Sequence, residues 1–158
     1  MRVTIDTNVF VYMLDAREPS KQAAAAELVE RLRAGDCHVA LQACGELYAA
    51  LTRRFRRAPW EAAQASRNLL AAFPAFGTSR SAVERALAEA MAGRFGYWDA
   101  LLLASADEAG CELCFSEEMA DGARLGAVEV VAPFGPDGIS DRARRILQGS
   151  QPGSAASD

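Results

Sequence analysis

The sequence predicts an α/β fold, a three-layer sandwich whose mainly parallel sheet carries helices on both faces. Three observations predict it. Short apolar runs occupy residues 3–5, 37–41, 111–115 and 128–131, several of them rich in β-branched side chains. Longer segments with apolar residues at i, i+3 and i+4 spacing separate them. Their order reads β-α-β-α-α-α-α-β-β, and strands interrupted by helices pair in parallel under helical layers. With 158 residues, 51% hydrophobic and 24% charged, the chain suffices for one domain with its own core and hardly for two.

The elements follow in order. Val3, Thr4 and Ile5 begin a buried strand that the apolar pattern carries on towards Val11. Ser20 precedes an alanine-rich helix over 21–34, with Leu28, Val29 and Leu32 on one face and Gly35 at its end. After the short strand 37–41, a helix over 42–55 aligns Leu47, Tyr48, Leu51 and Phe55. Pro59 stands in the first turn of a third helix, which runs to Ala72. Residues 73–79 form a loop with room for a brief strand. Ser81 caps a helix to Met91, Gly93 and Gly96 break the chain, and a helix over 97–109 stops at Gly110. Strand 111–115, a polar loop and strand 128–131 complete the predicted domain, residues 1–135. Residues 136–158 turn polar and rich in Gly, Pro and Ser. They are expected to be a largely disordered tail, with one short helix at most over 140–147.

Composition narrows the chemistry. The net charge of -4 does not advertise a nucleic-acid binder. Of the 17 basic residues Lys21 is the only lysine, and His38 is the only histidine, so mechanisms built on either have one candidate. Cys111 and Cys114 show the C-x-x-C spacing of redox and zinc sites. Side chains three apart on a strand face opposite ways, however, so buried reduced thiols, with Cys37 and Cys44, are the better reading. No run of 18 apolar residues offers a membrane span. Asp6 falls where a signal peptide would be apolar, so the expectation is a cytoplasmic protein without a membrane partner.

In open α/β sheets ligands bind beyond the carboxyl ends of the strands. Asp6, Thr7 and Asn8 follow the first strand; Ser116, Glu117, Glu118 and Asp121 follow strand 111–115. Glu46 and Asp99 are embedded in apolar helical segments. Each acid alone has an ordinary reading. Asp6 can cap a turn, Asp99 can serve a helix N-terminus, Glu46 can face solvent, and Glu117 and Glu118 can be a solvated loop. Together they point elsewhere, because buried carboxylates without partners are costly and several at one sheet end repel one another. A hard divalent cation, Mg2+ or Mn2+, offsets that repulsion and prefers oxygen ligands. Such an ion acidifies water and stabilises charge growing on phosphate oxygens, with no need for His, Cys or Lys.

These acids stand in a pattern that resembles the PIN domain. It is carried by Ile5-Asp6-Thr7-Asn8-Val9, by Glu46, by Tyr97-Trp98-Asp99-Ala100-Leu101 and by Phe115-Ser116-Glu117-Glu118. The resemblance spans residues 1–134 and implies a nuclease in which three or four acids hold one or two Mg2+ or Mn2+ ions that cleave RNA. It places Asp6, Glu46 and Asp99 at the main acid positions and Asn8 and Ser116 at supporting polar ones. The fourth acid of the family is an Asp; here the position holds Glu118, with Asp121 as the other candidate ligand. A chain this short is similar to VapC-like toxins, which implies a homodimer inhibited by a VapB-like antitoxin. Rival classes fit less well. A haloacid-dehalogenase-like phosphatase or receiver domain needs a lysine at its site, and only Lys21 is offered. A flap-endonuclease-type enzyme needs additional clamping helices. A non-catalytic PIN-fold module binding RNA or protein would lack the acids.

One further cluster, Thr52-Arg53-Arg54-Phe55-Arg56-Arg57, ends the helix that carries Glu46. It reads either as a solvated face favoured by the helix dipole or as a phosphate clamp. Arg53 lies seven residues from Glu46, about 10 Å along one helical face, and Arg56 or Arg57 would continue the track.

Overall fold

Residues 1–149 are described in a computed structural model of the chain. In chain order the elements are β1 (Val3–Ile5), α1 (Thr7–Leu14), α2 (Pro19–Arg33), β2 (Val39–Ala40), α3 (Leu41–Arg53), α4 (Pro59–Ala72), β3 (Ala75–Phe76), α5 (Arg80–Met91), α6 (Tyr97–Glu108), β4 (Leu113–Phe115), β5 (Arg124–Leu125), β6 (Val128–Val131), β7 (Phe134–Gly135), β8 (Gly138–Ile139) and α7 (Asp141–Gly149). The main sheet has the order β1-β4-β6-β5; β1, β4 and β6 are parallel, and β5 closes the edge antiparallel to β6. On the other side of β1, a single parallel bridge between Val3 and Cys37 ties in the parallel pair β2–β3.

Alternation along the strands makes the layers. Ile5, Phe115 and Val131 are paired across the sheet and point to one face, where Phe10 of α1, Leu28 of α2, Leu47 of α3, Leu69 of α4 and Leu147 of α7 bury them. Cys114 and Val130 point to the other face, covered by Ala82 and Ala86 of α5 and Leu103 of α6. This is the predicted three-layer α/β sandwich.

Four expectations are corrected. The first strand stops at Ile5, and residues 7–14 are helical. Val9, Phe10 and Val11 are buried together, so α1 lacks the clean amphipathic stripe that distinguishes a helix from a strand in sequence. Ser79, not Ser81, caps α5, its Oγ accepting the Ala82 N–H at 3.0 Å. The helix bearing Glu46 ends at Arg53 rather than Phe55. Arg56 adopts a left-handed φ of 54°, and the Arg57 N–H turns back to Leu51 O at 3.0 Å. Lastly, residues 136–149 are no tail. They form β8 and α7, and Ile139, Ala143 and Leu147 are 3%, 0% and 7% exposed in the core. The sparse apolar residues of α7 share one face while its arginines dominate the composition, which is why that stretch reads as polar. Residues 150–158, also assigned to the tail, lie outside the described residues.

Candidate functional site

The register brings the strand ends level. Ile5, Phe115 and Val131 are neighbours, so Asp6 and Ser116 emerge side by side, and the Asp6 N–H donates to Phe115 O at 2.9 Å. Asp6 occupies the N-cap position of α1 but makes no side-chain capping bond. Its carboxylate instead accepts the buried Ser116 hydroxyl at 2.8 Å and lines a cavity of about 280 Å3. The same hydroxyl accepts the Glu118 N–H at 3.3 Å, and buried Met119 anchors the loop from the other side. Glu118 therefore lines the cavity although it is exposed.

Glu46 and Asp99 arrive from two helices. One oxygen of Glu46 accepts the Thr7 hydroxyl at 2.5 Å and the other the Gln42 amide at 2.7 Å, which fixes the carboxylate from both sides. Asp99 is the third residue of α6, whose N-cap is Gly96. A Cβ at Gly96 would come within 3.3 Å of the Asp99 carboxylate, so the glycine leaves that group room. Asp6, Asn8, Glu46, Asp99 and Glu118 thus share one cavity, with Thr7, Gln42 and Trp98. Among the described residues none of the four acids forms an ion pair.

Their electrostatics follow. Burial, reinforced by repulsion from Glu118 and Glu46 and partly offset by the Ser116 bond, pushes the Asp6 carboxyl up to about 6. Burial and the same two acids raise Asp99. The donor set is wholly oxygen, which suits a hard divalent cation. Among the described residues no three of these side chains are drawn close enough to grip an ion directly. Repelling carboxylates stay spread around the cavity, and an ion that keeps several of its waters tolerates such a spread. The residues fit the group.

Several residues lie elsewhere. Asp121 does not line the cavity. Its Oδ1 accepts the Ala132 N–H at 2.9 Å and Arg142 at 2.6 Å, so it fastens α7 to the exit of β6 and stands apart from the other candidate ligands. Arg53 is exposed; Arg57 pairs with Glu61 at 3.9 Å and, beyond the end of α3, does not continue its helical face. Lys21 binds Glu117 at 2.6 Å and His38 meets Asp36 at 2.9 Å, so neither enters the cavity. The four cysteines are free and buried, and burial pushes Cys37 up to about 12 and Cys111 to about 11. Sequence reasoning assigned no role to Gln42, Thr7 or Trp98. The signal was present for two of them: Gln42 is four residues before Glu46 on a helix, and Thr7 follows Asp6.

Fold and cavity define an α/β protein with an acid-lined site at the carboxyl end of its sheet. The PIN domain family matches residues 3–119, and the chain belongs to that family. No curated protein matches it by sequence. Solved structures of similar fold include a toxin–antitoxin complex from Klebsiella pneumoniae, 20% identical, with 84% of this chain and 98% of that one covered at a TM-score of 0.58. The sarcin–ricin-loop-cleaving toxin VapC20 of Mycobacterium tuberculosis is 16% identical, with 72% and 88% covered and a TM-score of 0.57. DNA-bound VapBC of Salmonella typhimurium is 12% identical, with 82% and 96% covered and a TM-score of 0.61. Among the described residues no helix is long and apolar enough to cross a membrane.

Proposed function

We propose that this protein is a metal-dependent endoribonuclease of the VapC-like toxin kind. The observation that carries the reading is the meeting of Asp6, Glu46, Asp99 and Glu118, from four separate segments, around one cavity without a cationic side chain to neutralise them. Asp6, Asp99 and Glu118 would hold Mg2+ or Mn2+, with Glu46 completing the acid set. When bound, the ion acidifies water for attack and stabilises charge on the phosphate. Ser116 holds the Asp6 carboxylate in place, and Thr7 and Gln42 hold that of Glu46. Asn8 supplies an uncharged polar group to the same wall. Arg53 and Arg57 would steer the RNA backbone by sequence-blind contacts.

The toxin–antitoxin and VapBC complexes of similar fold support one further part of the reading, a VapB-like antitoxin that would cover the site. Two copies of the chain would form a homodimer. The site of action would be the cytoplasm. The test is cleavage of single-stranded RNA in Mn2+ by the purified protein, with the cut ends sequenced. Wild type is expected to cleave and Asp99→Asn to lose at least roughly 1,000-fold in rate. Losing several kcal/mol of charge stabilisation costs a factor of ten per 1.4 kcal/mol. Equal cleavage by both proteins refutes the site; no cleavage by either turns the reading to a non-catalytic module.

A further inference from the structure

Among the described residues the large hydrophobic side chains that stand furthest out in solvent are Met91 at 89%, Trp60 at 73% and Trp98 at 63% exposed. Only Trp98 lines the acid cavity. Its place follows from helix register. Trp98 is the second residue of α6, immediately before Asp99, so its indole stands at the mouth of the cavity rather than in the core. The ring is steadied on one side by Tyr97, edge-on at 5.0 Å between centroids with 71° between planes. Leu102 of the same helix and Val11 of α1 add apolar lining to the cavity. The cavity therefore has two kinds of lining, one carboxylate and one aromatic.

We infer that Trp98 forms a nucleobase subsite: a base next to the scissile phosphate stacks on the indole while the carboxylate wall handles the phosphodiester. This rests on the nuclease reading above. Charge selects the occupant. Four unpaired carboxylates repel any anionic group that arrives without a cation, so an acidic peptide or a bare phosphate is disfavoured against the indole. A nucleobase is planar, uncharged, able to offer N–H donors to nearby oxygens, and covalently tied to the phosphate that must reach the acids. Every base has a π-face, so such a platform tolerates sequence and contributes affinity that does not depend on the metal. It also gives a protein of net charge -4 a way to hold RNA that needs no basic surface.

The chain has two tryptophans, so Trp60→Phe leaves Trp98 as the sole indole; Trp60 does not line the cavity. The probes are a twelve-nucleotide single-stranded RNA and an abasic oligomer of the same length, in EDTA, where metal-dependent cleavage stops, and in about 0.15 M salt, which screens the repulsion between phosphates and carboxylates beyond about 8 Å. Both carry the same phosphates, so the difference between them reports the bases. The RNA is expected to quench Trp98 fluorescence and the abasic oligomer to leave it unchanged. Dissociation constants for labelled RNA should rise about tenfold in Trp98→Leu, which keeps apolar area but loses the ring, and stay near wild type in Trp98→Phe. In Mn2+, Trp98→Leu should raise KM and leave kcat unaltered.

Equal quenching by the abasic oligomer, or RNA binding by Trp98→Leu equal to wild type, overturns the proposal. So does a blue shift of Trp98 that grows with protein concentration without RNA, since a second copy would then cover the indole. Quenching by an arginine-rich peptide and not by RNA would give the indole to a protein partner, and also overturns it. Binding is read without cleavage, so a wild-type protein that fails to cut RNA refutes the nuclease reading and leaves the base-dependent quenching to stand or fall on its own.

Discussion

Asp6 and Asp15 stand at the two ends of the same helix, α1, and are almost equally hidden, at 7% and 3% exposure. Their surroundings differ completely. Arg17 wraps Asp15 with two side-chain bonds at 2.7 and 2.6 Å and a backbone bond at 3.1 Å, and Arg54 stands 3.9 Å away. Both guanidinium groups also lie over the Phe55 ring, at 4.9 and 5.4 Å. The Arg17 hydrogen bonds, above all, hold the Asp15 carboxyl down at about 2. Burial above all pushes the Asp6 carboxyl up to about 6; the Ser116 hydroxyl and the Asn8 backbone offset part of the shift, and Glu118 and Glu46 add to it. The two acids on one short helix thus differ in pKa because the chain gives one its own guanidinium partners, while burial raises the other with no cation beside it. The first is a structural pair; the second is a group whose partner has to come from outside.

The largest test of that contrast is a matched pair of amides. Asp6→Asn should abolish RNA cleavage yet raise the melting temperature of the metal-free protein at pH 7. The amide keeps an acceptor for Ser116 and removes a repelling charge. The shift from 3.8 to about 6 corresponds to at most about 3 kcal/mol, and each kcal/mol is worth about 2–4 °C in a chain of this size. Asp15→Asn should do the reverse, lowering the melting temperature while cleavage continues. Melting curves and an RNA assay on both variants decide it, and equal signs for the two would end the distinction.

Acid titration separates the same two groups in one protein. The folded pKa of Asp6 is raised, so its ionisation weakens the metal-free fold as pH rises from 3.8 towards 6. The folded pKa of Asp15 is lowered, so its contribution is complete above 3.8 and is lost as pH falls towards 2. Metal-free protein should therefore gain stability from Asp6 on going from pH 7 to pH 5, and Asp6→Asn should flatten that part of the curve alone. A gain that survives Asp6→Asn unchanged would have another origin.

Added Mg2+ or Mn2+ is the next, smaller effect. By mass action, metal at one hundred times its dissociation constant stabilises by about 2.7 kcal/mol. The melting temperature of wild type and of Asp15→Asn should rise by the same amount, and that of Asp6→Asn by much less. A rise in all three would place the ion elsewhere.

The contrast also explains what could be read in advance. Asp6, Glu46 and Asp99 stood out as candidates because an acid inside or directly after an apolar run contrasts with its neighbours, whereas Glu118 was singled out only by the resemblance. The layered fold was legible for the same reason, since strands as short as Val3–Ile5 and Val128–Val131 are almost purely apolar. Asp15 was not singled out: its arginines come from Arg17, a neighbour, and from Arg54, which only the packing of α1 on α3 brings near. Gln42 and Thr7 gain their roles from contact with Glu46, and α1 itself was hidden by the unbroken Val9-Phe10-Val11 run. Residues 136–149 were misjudged because composition weighs every side chain equally, whereas α7 needs only one narrow face to dock.

Glu118 and Asp121 repeat the contrast within one loop and give the smallest expected effect. Both acids follow β4, three residues apart, and both are exposed. Glu118 lines the cavity, is tied by its backbone to Ser116, and has no ion pair among the described residues. Asp121 is held by Arg142 and the Ala132 N–H, and those bonds keep its carboxyl below the ordinary range. If the unpaired acid is the functional one, Glu118→Gln should reduce cleavage and leave the melting temperature of the metal-free protein unchanged or slightly higher. Asp121→Asn should leave cleavage intact and lower the melting temperature a little. An exposed pair of this kind contributes at most about 1 kcal/mol, and the Ala132 bond survives in the amide. Rates in Mn2+ and melting curves in EDTA, measured on both variants, read the two effects separately. A loss of cleavage in Asp121→Asn with none in Glu118→Gln would return Asp121 to the site and require the loop to rearrange when metal binds.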